Sequence, residues 1–276
     1  MQRMFNTLDD RMVSTIVAAL PFDMCILLLV NPINRQLHRS AGDAIVRRLV
    51  TCPALGLSRL CEALCRQRAI SERVFLSLQA SDFSATCWQI LLCNAAAYGL
   101  TRAVICAIGR GTDVSALLYV AARGGHCALA VALLVRGADP NESRPDSGNT
   151  PLHEAALHRT PSPVVQLLLD SKANVHATQH GNNTPLHMAA VCGNTNGLAA
   201  LIAAGADLTA QNSFGSTPLH VAVFNGNLRN CGALLAAGAD RDARDNQGRT
   251  PLDRAIQYRY PAIVDLLRGA PAEARG

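Results

Sequence analysis

Three histidines recur at one fixed place in the sequence, and their side chains are the first that could do chemistry. His153, His187 and His220 each follow the triplet Thr-Pro-Leu, at steps of 34 and 33 residues. An imidazole can serve as a general base or as a metal ligand. A catalytic base needs a nucleophile at a fixed spacing, and the sequence offers neither that partner nor a glycine-rich phosphate loop. The repetition therefore predicts a structural role for these histidines.

Cysteine is the second residue type with reactive potential. The chain has 10 Cys and no Cys-x-x-Cys pair, so a zinc site has little support. Cys61 and Cys65 lie four residues apart, which fits helix packing better than a metal pair. Others lie in apolar helical patterns, where a thiol acts as a small hydrophobe: Cys25, Cys93, Cys106, Cys127, Cys192 and Cys231. We predict no metal, no cofactor and a reducing compartment, the cytoplasm, with the nucleus left open.

Composition limits the classes of partner. The chain of 276 residues is 49% apolar and 4% aromatic, with a formal net charge of +5. No basic run with interleaved aromatic residues occurs, which argues against nucleic-acid binding. The apolar stretch Val13–Val30 is interrupted by Pro21 and Asp23, so we expect neither a signal peptide nor a membrane-spanning helix.

The histidines belong to a longer repeated phrase that predicts how they are positioned. Thr-Pro-Leu-(His/Asp) begins at Thr150, Thr184, Thr217 and Thr250. Thr can cap a helix through its hydroxyl, and Pro suits the first helical position. Glycines punctuate each unit after the first helix (Gly193, Gly226), after the second (Gly205, Gly238) and in the loop (Gly148, Gly181, Gly215, Gly248). A period of this size predicts a stack of helix pairs.

The period and the phrase resemble the ankyrin repeat. That resemblance implies an all-α solenoid in which each phrase histidine bonds to neighbouring backbone and to the threonine hydroxyl. Two less regular units precede the four, one beginning near Ala116 and one spanning Ile90 to Ser115. We therefore expect about six units over residues 90–276, the last with Asp253 in place of histidine.

The resemblance also implies a concave protein-binding surface made of loop tips and first helices. An exposed phenylalanine is costly unless covered, so Phe214 is the expected anchor, unless it folds back onto the next loop. The tip around Asp242, Arg244 and Asp245 could instead be a solvated face. The residues expected to contact a protein client are Glu154, His158, His180, Met188, Asn212, Phe214, Val221, Phe224, Asn225, Arg244, Asn246, Arg254 and Tyr258.

The first fifty residues resemble an F-box. Leu8, Asp10, Met12-Val13, Ile16, Leu20-Pro21, Asp23, Met24 and Val30 match its pattern in order, whereas Asp9 replaces the usual Pro and no Trp precedes Arg47-Arg48-Leu49. The resemblance implies a three-helix bundle that binds a Skp-type adaptor and, through it, a cullin-RING ubiquitin ligase. The expected adaptor contacts are Leu20, Pro21, Met24, Leu27, Leu28 and Val30. The alternative is a helical cap that shields the first repeat.

The whole chain is therefore predicted to be all-α, with an F-box-like bundle at 1–50, a helical connector at 51–89 and the repeat array at 90–276. The connector could contain a further eroded repeat. We expect a non-catalytic protein that captures a client on its repeats and acts as a substrate adaptor for ubiquitin ligation. The alternatives are a plain scaffold or inhibitor, and an enzyme with regulatory repeats.

Overall fold

A computed structural model of the chain describes residues 85–109, 112–158 and 163–269. Within these ranges every regular element is a helix, and no strand is present. The chain divides into two compact units, Met1–Asp113 and Val114–Gly276.

The first unit contributes one described helix pair, α1 (Ala85–Ala97) and α2 (Thr101–Ala107). The turn between them uses Gly99, whose φ is +69°. Leu92, Ala96 and Val104 are fully buried. This pair corresponds to the unit expected from Ile90, but α1 includes Ala85 and so extends across the predicted boundary after residue 89.

The second unit contains five helix pairs in its described residues, as the repeat pattern predicts. Their bounds are α3 (Val114–Arg123) and α4 (Cys127–Val135), α5 (Pro151–Ala156) and α6 (Val164–Asp170), α7 (Pro185–Cys192) and α8 (Thr195–Ala203), α9 (Pro218–Phe224) and α10 (Leu228–Ala236), and α11 (Pro251–Gln257) and α12 (Pro261–Arg268). Each first helix packs on its own second helix and on the next first helix, and second helices pack on second helices.

The repeated threonine starts its helix, as predicted. Thr150, Thr184, Thr217 and Thr250 all have extended backbone, and proline takes the first helical position after each. The Thr217 hydroxyl accepts from the amide of His220 at 3.5 Å, and that of Thr250 accepts from the amide of Asp253 at 3.2 Å. These bonds satisfy amides that have no partner inside the helix.

Left-handed residues end the helices and turn the loops. Gly193, Gly226, Gly205 and Gly238 all have positive φ, as the pattern predicts. The prediction for Gly181 was wrong by one residue, because Asn182 carries the positive φ of +54° at the place of Gly148, Gly215 and Gly248. Asparagine tolerates this conformation better than most residues with a side chain.

Small side chains bring the helices together. The alanine pairs of α5 and α7 are buried, with Ala155-Ala156 and Ala189-Ala190 at 0–1% exposure, and the leucine after each phrase proline is at or near zero except in the last unit. Close approach of helices needs such small residues in the contact. No helix in the described ranges is long and apolar enough to cross a membrane.

Candidate functional site

The three phrase histidines join one repeat to the next. Their rings are completely buried, and each Nδ1 accepts from the threonine amide at 3.2 Å. Each Nε2 donates to a carbonyl of the following unit, at Asn183, Ser216 and Arg249, over 3.0–3.1 Å. A carbonyl can only accept, so Nε2 carries the proton. Nδ1 carries none because it accepts from the threonine amide, and the ring is therefore neutral. The predicted structural role is confirmed.

Burial also opposes protonation of these rings. Desolvation lowers the pKa of His153, His187 and His220 below the ordinary histidine value, against the opposing effect of the backbone bonds. A neutral ring with both nitrogens already bonded has no capacity left for base catalysis or metal binding.

The first helices of the second unit present equivalent side chains side by side. Counting from the capping residue, with Ser115 in that place in α3, the equivalent positions are four, seven and eight residues later, and they include both buried and exposed side chains. We call this set the first-helix face: Tyr119, Ala122, Arg123, Glu154, Leu157, His158, Met188, Val191, Cys192, Val221, Phe224, Asn225, Arg254, Gln257 and Tyr258.

The middle of the first-helix face is apolar. Met188 and Val221 are half-buried, whereas Val191 is 36% and Phe224 is 52% exposed. The Phe224 ring meets the edge of Tyr258 at a centroid distance of 5.4 Å. An aromatic side chain this exposed beside other apolar groups is typical of a surface that a partner covers.

Phe214 lies at the tip of the loop that precedes α9. Its backbone is fixed, because its amide donates to Asn212 Oδ1 at 3.0 Å and its carbonyl accepts from the amide of Asn246 at 3.1 Å. The side chain nevertheless is 72% exposed. The alternative that the ring folds back onto the next loop is therefore wrong, and Phe214 stays an anchor prediction.

Polar tip residues hold the loops in register. Asn212 accepts from the amides of Phe214 and Ser216 and donates to Asn183 Oδ1 at 2.9 Å. Asn246 donates to the Ser213 carbonyl at 3.1 Å. The side-chain amides of Asn212 and Asn246 therefore bond within the repeat array, which leaves fewer of their donors and acceptors for a client.

The remaining predicted contacts stand at the surface. His180 and Arg244 are exposed on the tips, and the Arg244 guanidinium donates to the Gly248 carbonyl at 2.7 Å. Asn225 is exposed and bonds back to the Val221 carbonyl at 2.9 Å. His158 and Tyr258 are half-buried. Their contact with a client stays a prediction.

Glu154 was predicted to contact a client from the exposed surface of its helix, but its side chain is buried. Glu154 is 5% exposed, and its Oε1 accepts from the Tyr119 hydroxyl at 2.6 Å and from Asn149 at 2.8 Å. Its Oε2 lies 3.6 Å from Nε of Arg123. Burial, followed by the bond to Glu154, raises the pKa of Tyr119 to about 12. The hydroxyl therefore stays protonated and donates to the carboxylate.

Arg254, which was expected on the exposed surface of its helix, is buried as well. Arg254 is 8% exposed and donates to Asp245 Oδ2 at 2.6 and 3.0 Å and to Ser216 Oγ at 2.9 Å. Burial alone would raise the pKa of Asp245, but the bonds from Arg254 and from the amides of Arg249 and Gln247 lower it overall. Asp245 is thus a buried anion in a paired network rather than part of a solvated tip.

A shallow cavity of about 390 Å³ opens at one end of the first-helix face. Arg123, Glu154, Leu157 and His158 line it. Tyr119 and Arg123 were missed by sequence reasoning, because the phrase is eroded in their unit. Counting four and eight residues from Ser115 would have placed both on the face.

The thiols of the described ranges differ in exposure. Cys231 is fully buried, and desolvation raises its pKa to about 12, so it behaves as the predicted small hydrophobe. Cys106, in contrast, is exposed. No three His, Cys, Asp or Glu side chains of the described residues lie close enough to hold a metal ion. The F-box-like residues Leu20, Pro21, Met24, Leu27, Leu28 and Val30, and the pair Cys61 and Cys65, lie outside the described residues.

Comparison with known proteins gives the same repeat. The family model for ankyrin repeats in three copies matches residues 78–179, 117–212 and 186–275, which together cover more than half of the chain. The chain is similar to the nuclear factor NF-kappa-B p105 subunit of Mus musculus, 36% identical over 95 residues, and to protein fem-1 homolog A of Danio rerio, 39% identical over 93 residues. These matches cover 34% and 33% of this chain but only 10% and 13% of the relatives.

Proposed function

The chain belongs to the ankyrin-repeat family, and we propose that its first-helix face and loop tips capture a segment of a client protein. Repeats of this family are typically non-catalytic interaction domains, and the similar proteins indicate protein–protein interaction. The single observation that carries the proposal is the exposure of the large aromatic rings of Phe214 and Phe224. The scaffold does not use either ring as core.

Loss of these two rings tests the proposal. The Phe214→Ser/Phe224→Ser variant is compared with the unaltered chain by affinity purification and quantitative mass spectrometry. The control is Val135→Ser, since Val135 is 82% exposed at the end of the second helix α4. We expect clients to be lost from the double variant and kept by the control. Equal recovery by all three proteins would disprove capture by this face.

The N-terminal residues extend the proposal to ubiquitin ligation. Residues 1–50, joined by a connector at 51–89 to the array at 90–276, would bind a Skp-type adaptor and place the client beside a cullin-RING ligase. The support is the ordered match of apolar and acidic residues to the F-box pattern, together with a chain in which Lys172 is the one lysine. A reducing compartment, cytoplasm or nucleus, suits the described cysteines, which form no disulfide with one another.

A binding measurement with a purified Skp-type adaptor tests this second part. Leu20→Asp and Met24→Asp should each abolish adaptor binding, because a charge would replace an apolar contact. Met188→Asp on the first-helix face is the control and should leave adaptor binding unchanged. If the unaltered chain does not bind, or if deletion of residues 1–50 leaves client capture and its cellular effect intact, the chain acts as a plain scaffold or inhibitor.

A further inference from the structure

One oxygen of the buried Glu154 carboxylate lacks a close donor. The Glu154 side chain has 6% of its surface exposed and lines the cavity of about 390 Å³. Its Oε1 accepts from the Tyr119 hydroxyl and from the side-chain amide of Asn149. Its Oε2 lies 3.6 Å from Nε of Arg123, and no described residue brings a donor within hydrogen-bond distance of this oxygen. A buried acceptor without a donor is unfavourable, so Oε2 marks a place where a ligand can donate.

Arg123 brings donors to the same place. A guanidinium carries five N–H groups, and within the described ranges none of those of Arg123 donates a hydrogen bond. The Arg123 side chain is 73% exposed, so a ligand can reach it. Leu157 and His158, both half-buried, complete the described lining of the cavity. An acceptor and a set of donors therefore lie side by side, next to the apolar side chain of Leu157.

The charges at this cavity balance one another. Glu154 and Arg123 carry opposite charges. Arg144, whose guanidinium lies 5.0 Å from the centre of the Tyr119 ring, is paired by two bonds with Asp146. A charged ligand group would be attracted by one member of the Glu154–Arg123 pair and repelled by the other. A neutral group gains from both members if it offers a donor and an acceptor close together, and exposed charges elsewhere on the loops act weakly on it because it carries no net charge.

We propose that the cavity binds the carboxamide side chain of an asparagine or glutamine in the client segment. The amide NH2 group donates to Glu154 Oε2, the amide oxygen accepts from the Arg123 guanidinium, and the methylene groups pack against Leu157. A lysine offers only donors and a glutamate offers only acceptors, so each leaves one charged group of the cavity without a partner. This inference rests on the proposed capture of a client by the repeat array.

Selection from random peptides tests this chemistry without a known client. A phage library of linear peptides is selected on the immobilised full-length chain, and clones that also bind the Arg123→Met chain are discarded. Because the Arg123 side chain is exposed, this substitution should leave the fold intact. We expect the remaining sequences to share an asparagine or a glutamine. If they share neither, or if no clone remains, the cavity takes another group or solvent alone, and the proposal is overturned.

Exchanges on both sides of the contact make the test specific. In fluorescence anisotropy, replacing the shared amide of an enriched peptide by glutamate, lysine or methionine should weaken binding to the unaltered chain by about tenfold or more, because buried polar groups lose their partner. Glu154→Gln keeps an oxygen for Tyr119 and Asn149 but turns the other acceptor into a donor, so it should bind the glutamate form better than the amide form. Arg123→Met removes the donors and should prefer the lysine form. An unchanged preference in both variants overturns the proposal.

Controls separate this inference from the proposed function. Glu142→Gln neutralises an exposed loop carboxylate and should leave the preference for the amide unchanged. The same change of preference in Glu142→Gln as in Glu154→Gln overturns the proposal. Thermal unfolding checks that Glu154→Gln is folded, and if it is not, the preference of Arg123→Met for the lysine form decides. Client capture that depends on Phe214 and Phe224, together with no preference for an amide, would reject this inference alone.

Discussion

At the residue scale, the phrase histidine connects local and long-range structure. The ring of His187 accepts from the Thr184 amide that precedes its own helix and donates to the Ser216 carbonyl of the next unit. A single side chain therefore fixes the helix start and the distance between repeats. Because the bonds are buried, loss of the ring leaves polar backbone groups without partners.

Replacing His187 by alanine should destabilise the stack. Two buried backbone groups lose their partner, which costs about 1–3 kcal/mol of the free energy of unfolding for each group left unsatisfied. The measurement is urea denaturation followed by circular dichroism. The control is His180→Ala, an exposed histidine on a loop tip. An equal effect of both substitutions would contradict the structural role assigned to His187.

Stability should also fall as the pH falls from about 7 to about 5. The pKa of His153, His187 and His220 is lowered in the folded chain by desolvation, so the unfolded chain binds more protons in this range. The contribution of these histidines to the free energy of unfolding is fully present above the histidine pKa of the unfolded chain. It is lost as the pH falls toward the lower pKa of the folded chain. Thermal unfolding across this range checks the sign, and His187→Asn should flatten the dependence. An unfolding temperature that rises on acidification would contradict this prediction.

At the scale of elements, each loop tip is fitted to the tip that follows. A methyl group on Gly215 would lie 2.6 Å from the Asn246 backbone nitrogen, whereas one on Gly248 meets nothing within 4 Å. Both glycines have nearly the same positive φ, +68° and +72°. Alanine substitutions at these two glycines therefore separate the energetic cost of the left-handed backbone from the cost of a steric conflict between successive loop tips.

Gly215→Ala should therefore destabilise the chain more than Gly248→Ala. The left-handed conformation costs either alanine about 1–2 kcal/mol, and the steric conflict adds about 1–3 kcal/mol at position 215 alone. Denaturation midpoints of the two variants provide the comparison. Similar midpoints would show that successive tips are not packed as closely as the structure has them.

The last helix pair is tied to the stack by a buried ion pair. Arg254 joins its own element to Asp245 in the loop and to Ser216 of the preceding unit. Arg254→Met leaves the Asp245 carboxylate with less compensation, and breaking such a pair costs about 3–5 kcal/mol. Hydrogen exchange should rise in α11 and α12 and stay low in α7, because each repeat contacts only its neighbours and α7 lies two units away. Arg244→Met, on the exposed tip, should leave exchange in α11 unchanged; faster exchange there would contradict this account.

At the scale of the whole molecule, the repeat pattern predicted the helix pairs and their caps, because Thr-Pro and Gly act through local backbone preferences. Burial of Glu154 and Arg254 was not predictable in that way. Their partners Tyr119 and Asp245 belong to other segments, and nothing local reveals those pairings. The exposure of Phe214 could not be predicted for the same reason, because the surroundings of its side chain depend on the register of the loop that contains Asn246.

The central claim is that one side of the stack captures a client, and crosslinking from single positions tests it most directly. A photoreactive phenylalanine analogue replaces Phe214, Phe224 or, as the control, Val135 in the full chain expressed in cells. We predict that irradiation links a client to positions 214 and 224 and not to position 135. Crosslinks from position 135 with none from the two phenylalanine positions would contradict the account.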